Sequence, residues 1–437
     1  MRLRVIVALG LVLSAARSAQ ATYSIVACER ATRQCGVAVQ TDNLAVGASV
    51  PTVQAGVGAI ASQFETHPRH GVRGLAILAQ GLAPEAAIRT LLAEDGGFDG
   101  RGPDARQIAI VGLDGVSAVY TGAEAAAAAW AGSRSGPGFS VQGNGLAGPA
   151  VLEAMARAFV GSRGALADRL LAALRAGDAA GGQRTGRQSA ALLVRTPEGF
   201  PLDVDLRVDD APDPVSALVR LHDLQAGRQQ IIAARLAARR GDDAGARALL
   251  EAGTTRVHGW PRALVTAAEV ALELEAPDVA LRSVTAAFVR QPRRRSTALG
   301  DGTFAALGQV PAFHRWISAE LLARLDADTR AFARSTSASS AARVALAARL
   351  LEAGRPRTAL DVLAGDRGSG ADLSLLRARA LRALGRTREA REACRIGIAG
   401  APEDLRLRRL QAAFDRTERT PGHGTTPAGA PRAPTRR

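Results

Sequence analysis

The sequence predicts an α+β domain followed by an all-α domain of helical hairpins. Between residues 22 and 212, short segments with strand-like alternation are separated by glycine-rich turns and by segments of helical spacing. From residue 213 to about residue 417 the spacing is helical throughout, and small residues recur at corresponding positions. A chain of 437 residues is also too long for one ordinary domain, which fits this division into two.

The positive charge of the chain comes from arginine alone. The formal net charge is +15 and there is no lysine, which excludes Schiff-base chemistry, pyridoxal phosphate attachment and a P-loop. We expect no cofactor. Residues 22–212 are close to neutral, so the excess charge lies on the helical half. Aromatic residues make up only 3% of the chain and no nucleic-acid motif is present, so we interpret this half as a solvated surface and expect no nucleic-acid partner.

Residues 1–21 have the features of a cleavable signal peptide. Two arginines precede an apolar stretch at 5–16, and a cleavage site of the A-x-A type ends at Ala21. The apolar stretch is too short to span a bilayer, and an uncleaved anchor is the alternative. We therefore expect a periplasmic or secreted protein that is not integral to the membrane.

The segments of the first domain follow one another in an α+β order. TYSIVAC and CGVAVQT predict a first hairpin, and the small-residue run at 44–63 predicts one or two further strands. Residues 71–95 predict two short helices broken by a proline, and the Asp-Gly pair at 114–115 predicts the turn of another hairpin. FSVQGN predicts a strand that leads into helices at 149–161 and 164–176, before a closing strand pair, SAALLVRT and DVDLRV. This order is compatible with helices packed outside two antiparallel sheets.

Two of the three cysteines flank the turn of the first hairpin. With the turn centred on residues 31–32, Cys28 and Cys35 lie directly opposite each other, at a cross-strand distance that suits a disulfide. An oxidising compartment would form this bond, and two unpaired thiols are the alternative. Cys394 is predicted to pack in the core of a helix.

The second domain contains four segments that align on small residues and on a predicted turn between two helices. Ala246 and Ala280 are 34 positions apart, which is the period of tetratricopeptide repeats, and the segments resemble divergent members of that class. The aligned small residues are Ala234, Ala246, Ala268, Ala280, Ala347, Ala359, Ala378 and Ala390, and the turn residues are Gly241, Glu275, Gly354 and Gly385. Residues 293–340 interrupt the register, and residues 418–437 are predicted to be a disordered tail.

Cleavage after Ala21 would make Thr22 the first residue of the mature chain. A terminal threonine combines a nucleophile with a base, because its hydroxyl can attack a carbonyl while its free α-amine accepts the proton. An internal threonine lacks that amine. The alternative is that a terminal threonine occurs by chance.

A series of stretches runs in order across residues 22–210: TYSIVA, GVAVQTDNLAVGASVP, AGVGAIASQ, GVRGL, VQGNGLAGPAVLEAMARAF, RLLAALRAGDAAGGQRTGRQSAALLV and VDLRVDD. Through these stretches, residues 22–210 resemble a bacterial family of unknown function, DUF1028, which is grouped with the N-terminal-nucleophile (Ntn) hydrolases. The resemblance implies a four-layer αββα Ntn-hydrolase-like sandwich whose first strand carries the nucleophile, here Thr22. Two departures are the cysteine pair and the absence of the lysine that the proteasome-like branch uses.

Candidate supporting residues follow from residue type and setting. Asn144 at a strand-to-helix turn, with the Gly143 amide beside it, is the candidate oxyanion donor, and turn geometry is the alternative role. Asp42 and Asn43 follow the second strand and could orient the Thr22 amine or form a plain Asx turn.

Further candidates would bind the substrate. Arg187 could bind a carboxylate or form a structural ion pair, and Gln63 could line the pocket. His67 and His70 lack a clear third ligand, so no metal site is predicted. Ser24 points to the same side of its strand as Thr22; we expect it to pack, and helping to relay a proton is the alternative.

Two functional hypotheses follow. The first is an exported Ntn-type amidohydrolase that acts on small amides or peptides, with the helical repeats recruiting a protein partner. The second is a non-catalytic periplasmic binding or scaffold protein that uses the same two domains. The sequence leaves assembly into a homo-oligomer open.

Overall fold

The structure, a computed structural model, describes residues 21–291, 304–315, 317, 319–335, 338–366 and 368–419. The predicted signal peptide lies outside the described residues apart from Ala21, and so does the predicted tail from residue 420 onward. The chain divides into two compact units between Asp223 and Leu224. No helix of the described part has the length and apolar character needed to cross a membrane.

The first unit contains two antiparallel sheets. Their strands are β1 (Thr22–Glu29), β2 (Gln34–Thr41), β3 (Pro51–Gln54), β4 (Gly58–Phe64), β5 (Arg106–Gly112), β6 (Ser117–Thr121), β7 (Gly132–Gly136), β8 (Phe139–Asn144), β9 (Ser189–Arg195) and β10 (Val204–Val208). The six-stranded sheet has the order β10-β9-β2-β1-β8-β7, and the four-stranded sheet has the order β3-β4-β5-β6. The prediction of an α+β region with two antiparallel sheets is confirmed.

Helices cover the outer face of each sheet. They are α1 (His70–Ala79), α2 (Pro84–Ala93), α3 (Ala123–Ala126), α4 (Ala150–Gly161) and α5 (Leu166–Ala179). Because successive side chains of a strand point to opposite faces, Tyr23 and Ile25 of β1 pack with α4 and α5, whereas Val26 and Cys28 face the second sheet. The outer face of the second sheet packs on α1 and α2. The layers of this unit therefore run helix, sheet, sheet, helix.

The first hairpin places Cys28 and Cys35 directly opposite each other. Their Cα atoms are 4.1 Å apart and the two residues form a disulfide. The prediction of this bond is confirmed. Cys394 is a free, buried cysteine, as predicted.

The second unit is all-helical, as predicted. The helices from the junction onward are α6 (Pro214–Arg239), α7 (Asp243–Arg256), α8 (Pro261–Glu273), α9 (Pro277–Arg290), α10 (Pro311–His314), α11 (Ala319–Ala333), α12 (Ser340–Glu352), α13 (Pro356–Ala364), α14 (Ala371–Ala383), α15 (Thr387–Gly400) and α16 (Leu405–Arg419). All eight aligned alanines are fully buried. All four predicted turn residues have left-handed backbone conformations and join successive helices. The alignment of the sequence therefore located the helix pairs correctly.

Two boundaries differ from the predictions. The division between the compact units falls within α6 rather than after residue 212. In addition, α16 extends to Arg419, so residues 418 and 419 of the predicted tail are helical. This helix forms because Leu407, Leu410 and Phe414 recur at helical spacing and are buried against α14 and α15.

Candidate functional site

Thr22 lies in a row of three polar side chains at one end of the larger sheet. It pairs with Thr41 of β2 on one side and with Asn144 of β8 on the other. Residues that pair directly across antiparallel strands point to the same face, so the three side chains are neighbours. All three are buried, and the Oγ1 atoms of Thr22 and Thr41 are 3.1 Å apart. The fold thus brings together Thr22 and Asn144, two of the residues predicted from the sequence.

The carbonyl oxygen of Ala21 accepts two hydrogen bonds beside Thr22. Thr41 Oγ1 donates to it at 2.8 Å, and Gln183 Nε2 donates to it from a glycine-rich loop. Since the Thr41 proton is used in this way, Thr41 Oγ1 accepts the hydrogen bond from the Thr22 hydroxyl. The Ala21 amide in turn donates to Asp42 Oδ1 at 3.3 Å. Asp42 therefore contacts the residue before Thr22.

A buried relay fixes the direction of the Gln183 side chain. Tyr23 Oη donates to Gln40 Oε1, and Gln40 Nε2 donates to Gln183 Oε1 at 3.0 Å, which turns Gln183 Nε2 toward the Ala21 carbonyl. Burial, followed by the charge of Asp178, raises the pKa of Tyr23 well above its usual value. Tyr23 consequently remains a donor at physiological pH.

A second buried network underlies Thr22 between the sheets. Gln63 Nε2 donates to the Thr22 carbonyl at 3.2 Å and to Gln107 Oε1 at 2.8 Å, while Ser24 Oγ donates to Gln63 Oε1 at 2.7 Å. Asn144 Nδ2 donates to Gln107 Oε1 at 2.9 Å, and its Oδ1 is buried without a hydrogen-bond partner. Gln63 thus holds the backbone of the candidate nucleophile, and Ser24 takes part in a hydrogen bond as well as packing.

Two other predicted residues, Asn43 and Gly143, have described contacts away from the Thr22 side chain. Asn43 lines the cavity next to Thr22, but its Oδ1 accepts from the Leu44 amide at 2.8 Å, as in a local turn. Gly143 precedes Asn144 in β8, and its carbonyl accepts from Gln107 Nε2 at 3.0 Å. In neither residue does a described contact involve the Thr22 side chain.

Arg187 forms an ion pair. Its Nη1 lies 2.9 Å from Asp178 Oδ2 and 3.9 Å from Asp213 Oδ1, which is the structural alternative to binding a substrate carboxylate. Burial raises the pKa of Asp178, while the charge of Arg187 acts in the opposite direction. Arg187 lies on the segment leading into β9, next to Gln188, whose backbone amide donates to the Thr41 carbonyl at 2.9 Å.

A cavity of about 200 Å³ opens beside Thr22 and Thr41. Its other polar lining includes Ser49, Glu65 and Thr66. Ala45 and Phe64, which flank and line it, have φ angles of 54° and 68°, a left-handed conformation that is costly for residues with a side chain. Such conformations cluster at functional sites; here Phe64 lines the cavity, and Ala45 lies between the lining residues Leu44 and Val46.

The histidines of the HPRH segment meet a third residue that the sequence did not indicate. Asp95, at the end of α2, lies 3.4 Å from His70 Nε2, and its backbone carbonyl lies 3.2 Å from His67 Nε2. The imidazole rings are stacked with centroids 4.4 Å apart, and both carboxylate oxygens of Asp95 bond to Arg106. Stacked rings and an arginine on the carboxylate favour a structural cluster supporting the loop at 65–69, so we base no function on a metal here.

The neutral state of His70 predicts a loss of stability in acid. Burial, followed by the charge of His67, lowers the pKa of His70 to about 4, and Asp95 only partly opposes this. Between pH ~6.5, the ordinary pKa of histidine, and pH ~4, His70 is protonated in the unfolded chain but neutral in the folded chain. The free energy of unfolding therefore falls over this range, by up to about 3 kcal/mol. We expect His70→Gln to lose less stability over this range, measured by hydrogen exchange of β4 and β5 peptides at pH 7.5 and 4.5. Equal losses in both proteins would contradict this assignment.

Residues 22–218 match a protein family described as "Family of unknown function (DUF1028)". A solved structure, protein SPO2555 from Silicibacter pomeroyi, assigned to the same family, is 35% identical; the match covers 46% of this chain and 84% of that one, with a TM-score of 0.42. No curated protein is significantly similar to the chain. The chain belongs, through residues 22–218, to the family of unknown function DUF1028.

Proposed function

We propose that the protein is an exported amidohydrolase of the Ntn type, with Thr22 as its nucleophile after removal of residues 1–21. The observation that carries the proposal is the set of donors around the carbonyl next to Thr22. Thr41 Oγ1 and Gln183 Nε2 hold the Ala21 carbonyl beside the Thr22 hydroxyl. Once Ala21 is removed, the same donors face the position where a substrate carbonyl would meet the nucleophile.

The reaction follows from these positions. The Thr22 α-amine removes the proton of the Thr22 hydroxyl as Oγ1 attacks the amide carbon, and Thr41 and Gln183 donate to the oxyanion. The amine then protonates the leaving nitrogen as the C–N bond breaks, which leaves an ester on Thr22. Water hydrolyses this ester and restores the free hydroxyl. The substrates are small amides or peptides, because the cavity beside Thr22 is only about 200 Å³.

Three observations support the wider assignment. The helix, sheet, sheet, helix order of the first unit agrees with an αββα sandwich whose first strand begins at the nucleophile. The disulfide between Cys28 and Cys35 fits an oxidising compartment such as the periplasm or the exterior. The signal-like sequence at 1–21 provides the route to that compartment.

The test is the terminus of the mature protein. We expect mass spectrometry of the exported chain to give Thr22 as its first residue, and a hydroxyl-reactive electrophile to label the wild type but not Thr22→Ala. Thr32, whose hydroxyl is on an exposed turn, offers the matched control, since Thr32→Ala should be labelled normally. A chain that begins elsewhere has no free amine beside the hydroxyl, and the amidohydrolase proposal then fails.

One observation favours a second role, in which the tetratricopeptide-like repeats bind a partner. Arg379 of α14 lines two adjoining cavities of about 710 and 560 Å³ whose walls also contain Leu272, Leu351 and Leu375. Arg379 has no hydrogen bond or ion pair with any described residue, whereas the neighbouring Arg406 is paired with Asp372. Burial lowers the pKa of Arg379, and Glu275 only partly opposes this. We propose that this groove binds an acidic peptide segment of a protein partner.

A fluorescein-labelled peptide of alternating Glu and Leu tests the groove. We expect the full chain to bind it, and Arg379→Gln to weaken binding at least about tenfold, because one charge-assisted hydrogen bond is worth roughly 1.5–3 kcal/mol. Arg357→Gln removes the same charge from an exposed position of α13 and should bind like the wild type. Equal effects of the two substitutions on peptide affinity would show only a general charge effect and would contradict binding of the peptide in the groove.

A further inference from the structure

Ala21 precedes Thr22, and its carbonyl contacts the two donors that the proposed function assigns to the oxyanion. It is bonded to Thr22 and fully buried, and its two backbone polar groups are both held by side chains. Its carbonyl is held by Thr41 and Gln183, which we assign to the oxyanion. If an acyl group binds with its carbonyl at the same donors, the contact from the Ala21 nitrogen to Asp42 marks the surroundings of the group next to its α-carbon.

Asp42 carries a charge that the described residues do not balance. It follows β2 directly, is partly buried, and forms no ion pair within the described part of the chain. A peptide N–H at 3.3 Å is a weak, neutral donor for a carboxylate, whereas an ammonium group in the same position would form a shorter, charge-assisted bond. The contact seen with Ala21 is thus the weaker version of one that a charged amine would make.

The Thr22 amine is a poor candidate for that partner. A carboxylate in direct contact with an amine favours its protonated form, and the mechanism requires the amine to be neutral so that it can accept the hydroxyl proton. The described contact of Asp42 is also with the residue before Thr22. The cation that suits Asp42 therefore comes from the substrate.

The surroundings argue against a substrate with an acidic acyl half. Glu65 lines the cavity beside Thr22, and its arginine partner, Arg101, is 3.8 Å away and lies closer to Glu124. Arg187, the predicted binder of a substrate carboxylate, is engaged by Asp178. The alanine side chain of the occupying residue is fully enclosed, which favours a small side chain in its place.

We propose that Asp42 binds the α-ammonium group of the substrate, so that the site acts on amides and short peptides of small amino acids with a free amino terminus. This inference rests on the proposed function. In the reaction, the bond between Thr22 Oγ1 and the aminoacyl carbon forms, the amide C–N bond breaks, and the Thr22 amine passes its proton to the leaving nitrogen. Water then hydrolyses the ester and releases a free amino acid.

The test compares two fluorogenic amides, alanyl-aminomethylcoumarin and its N-acetylated form, with the processed full chain. We expect kcat/KM for the free amine to exceed that for the acetylated compound at least tenfold. In Asp42→Asn this ratio should fall toward one through a rise in KM for the free amine, while the pH profile of kcat keeps its position. Asp104→Asn removes an exposed carboxylate from the same unit and should keep the wild-type ratio.

The outcomes separate this inference from the proposed function. Cleavage of the acetylated amide as fast as the free one, or a shifted pH profile of kcat in Asp42→Asn, would overturn the inference and leave the amidohydrolase standing. Cleavage of neither amide by a chain with a verified Thr22 terminus would count against both. Alaninamide binding to Thr22→Ala, measured by calorimetry and lost on adding Asp42→Asn, would establish the ligand class independently of turnover.

Discussion

Thr22→Ala should reduce kcat/KM for amide hydrolysis by at least ~1,000-fold, since removal of a nucleophile leaves only the catalysis that comes from binding and oxyanion donors. The substitution removes a methyl group and one hydroxyl, whose described contact is with Thr41, so the fold should persist. The measurement is steady-state kinetics on the processed protein, with the terminus confirmed by mass spectrometry.

Thr22→Ser is the matched control for this prediction. It keeps the hydroxyl next to the α-amine and loses only a methyl group, so it should retain measurable turnover and the labelling by an electrophile. An alanine variant with more than a tenth of wild-type activity would show that the hydroxyl is not the attacking group.

Arg106→Met should destabilise the first unit by about 3–5 kcal/mol, because it leaves a buried carboxylate without its partner. Arg106 is fully buried at the start of β5, bonds to Asp95 at 2.9 and 3.2 Å, and donates to the carbonyls of Glu65, Phe98 and Arg101. Burial alone would raise the pKa of Asp95, but its hydrogen bonds and the charge of Arg106 bring it below its usual value. The free energy of unfolding is measured by urea denaturation.

An exposed arginine of the same unit provides the comparison. Arg73 forms two hydrogen bonds with Glu94, at 2.9 and 2.7 Å, yet both side chains are more than two-fifths exposed to solvent. Arg73→Met should therefore lower the free energy of unfolding by no more than about 1 kcal/mol. If the two substitutions lower the free energy of unfolding by the same amount, burial does not determine how much the Arg106–Asp95 pair contributes to stability.

Features with a strong local pattern were predictable from the sequence. The alternation of TYSIVAC predicted β1, and Asp114-Gly115 predicted the turn between β5 and β6, where Gly115 has a φ of 87°. The alanines of the helix pairs were identifiable because only a small side chain lets two helices pack closely. The edge strand β7, with the sequence GSRSG, was missed because it has no apolar alternation.

The contacts that build the candidate site had no local pattern. Gln40 and Gln183 are 143 positions apart, and the sequence gave no signal that they would meet. Asp95 is 28 positions from His67 and was likewise not linked to the histidines. Thr22 and Asn144 were both identified, the first from its position at a cleavage site and the second from its place at the end of a strand.

The position of β1 has a consequence for the freedom of a newly cut terminus. The ends of protein chains are usually poorly ordered, whereas this mechanism needs the amine and the hydroxyl in a fixed geometry. Thr22 is the first residue of β1, a central strand that is hydrogen-bonded to β2 and β8. The Cys28–Cys35 disulfide links β1 to β2 at the other end of the same hairpin. Most of the conformational entropy of that terminus is therefore lost when the sheet forms, so cleavage would release an end that is already ordered.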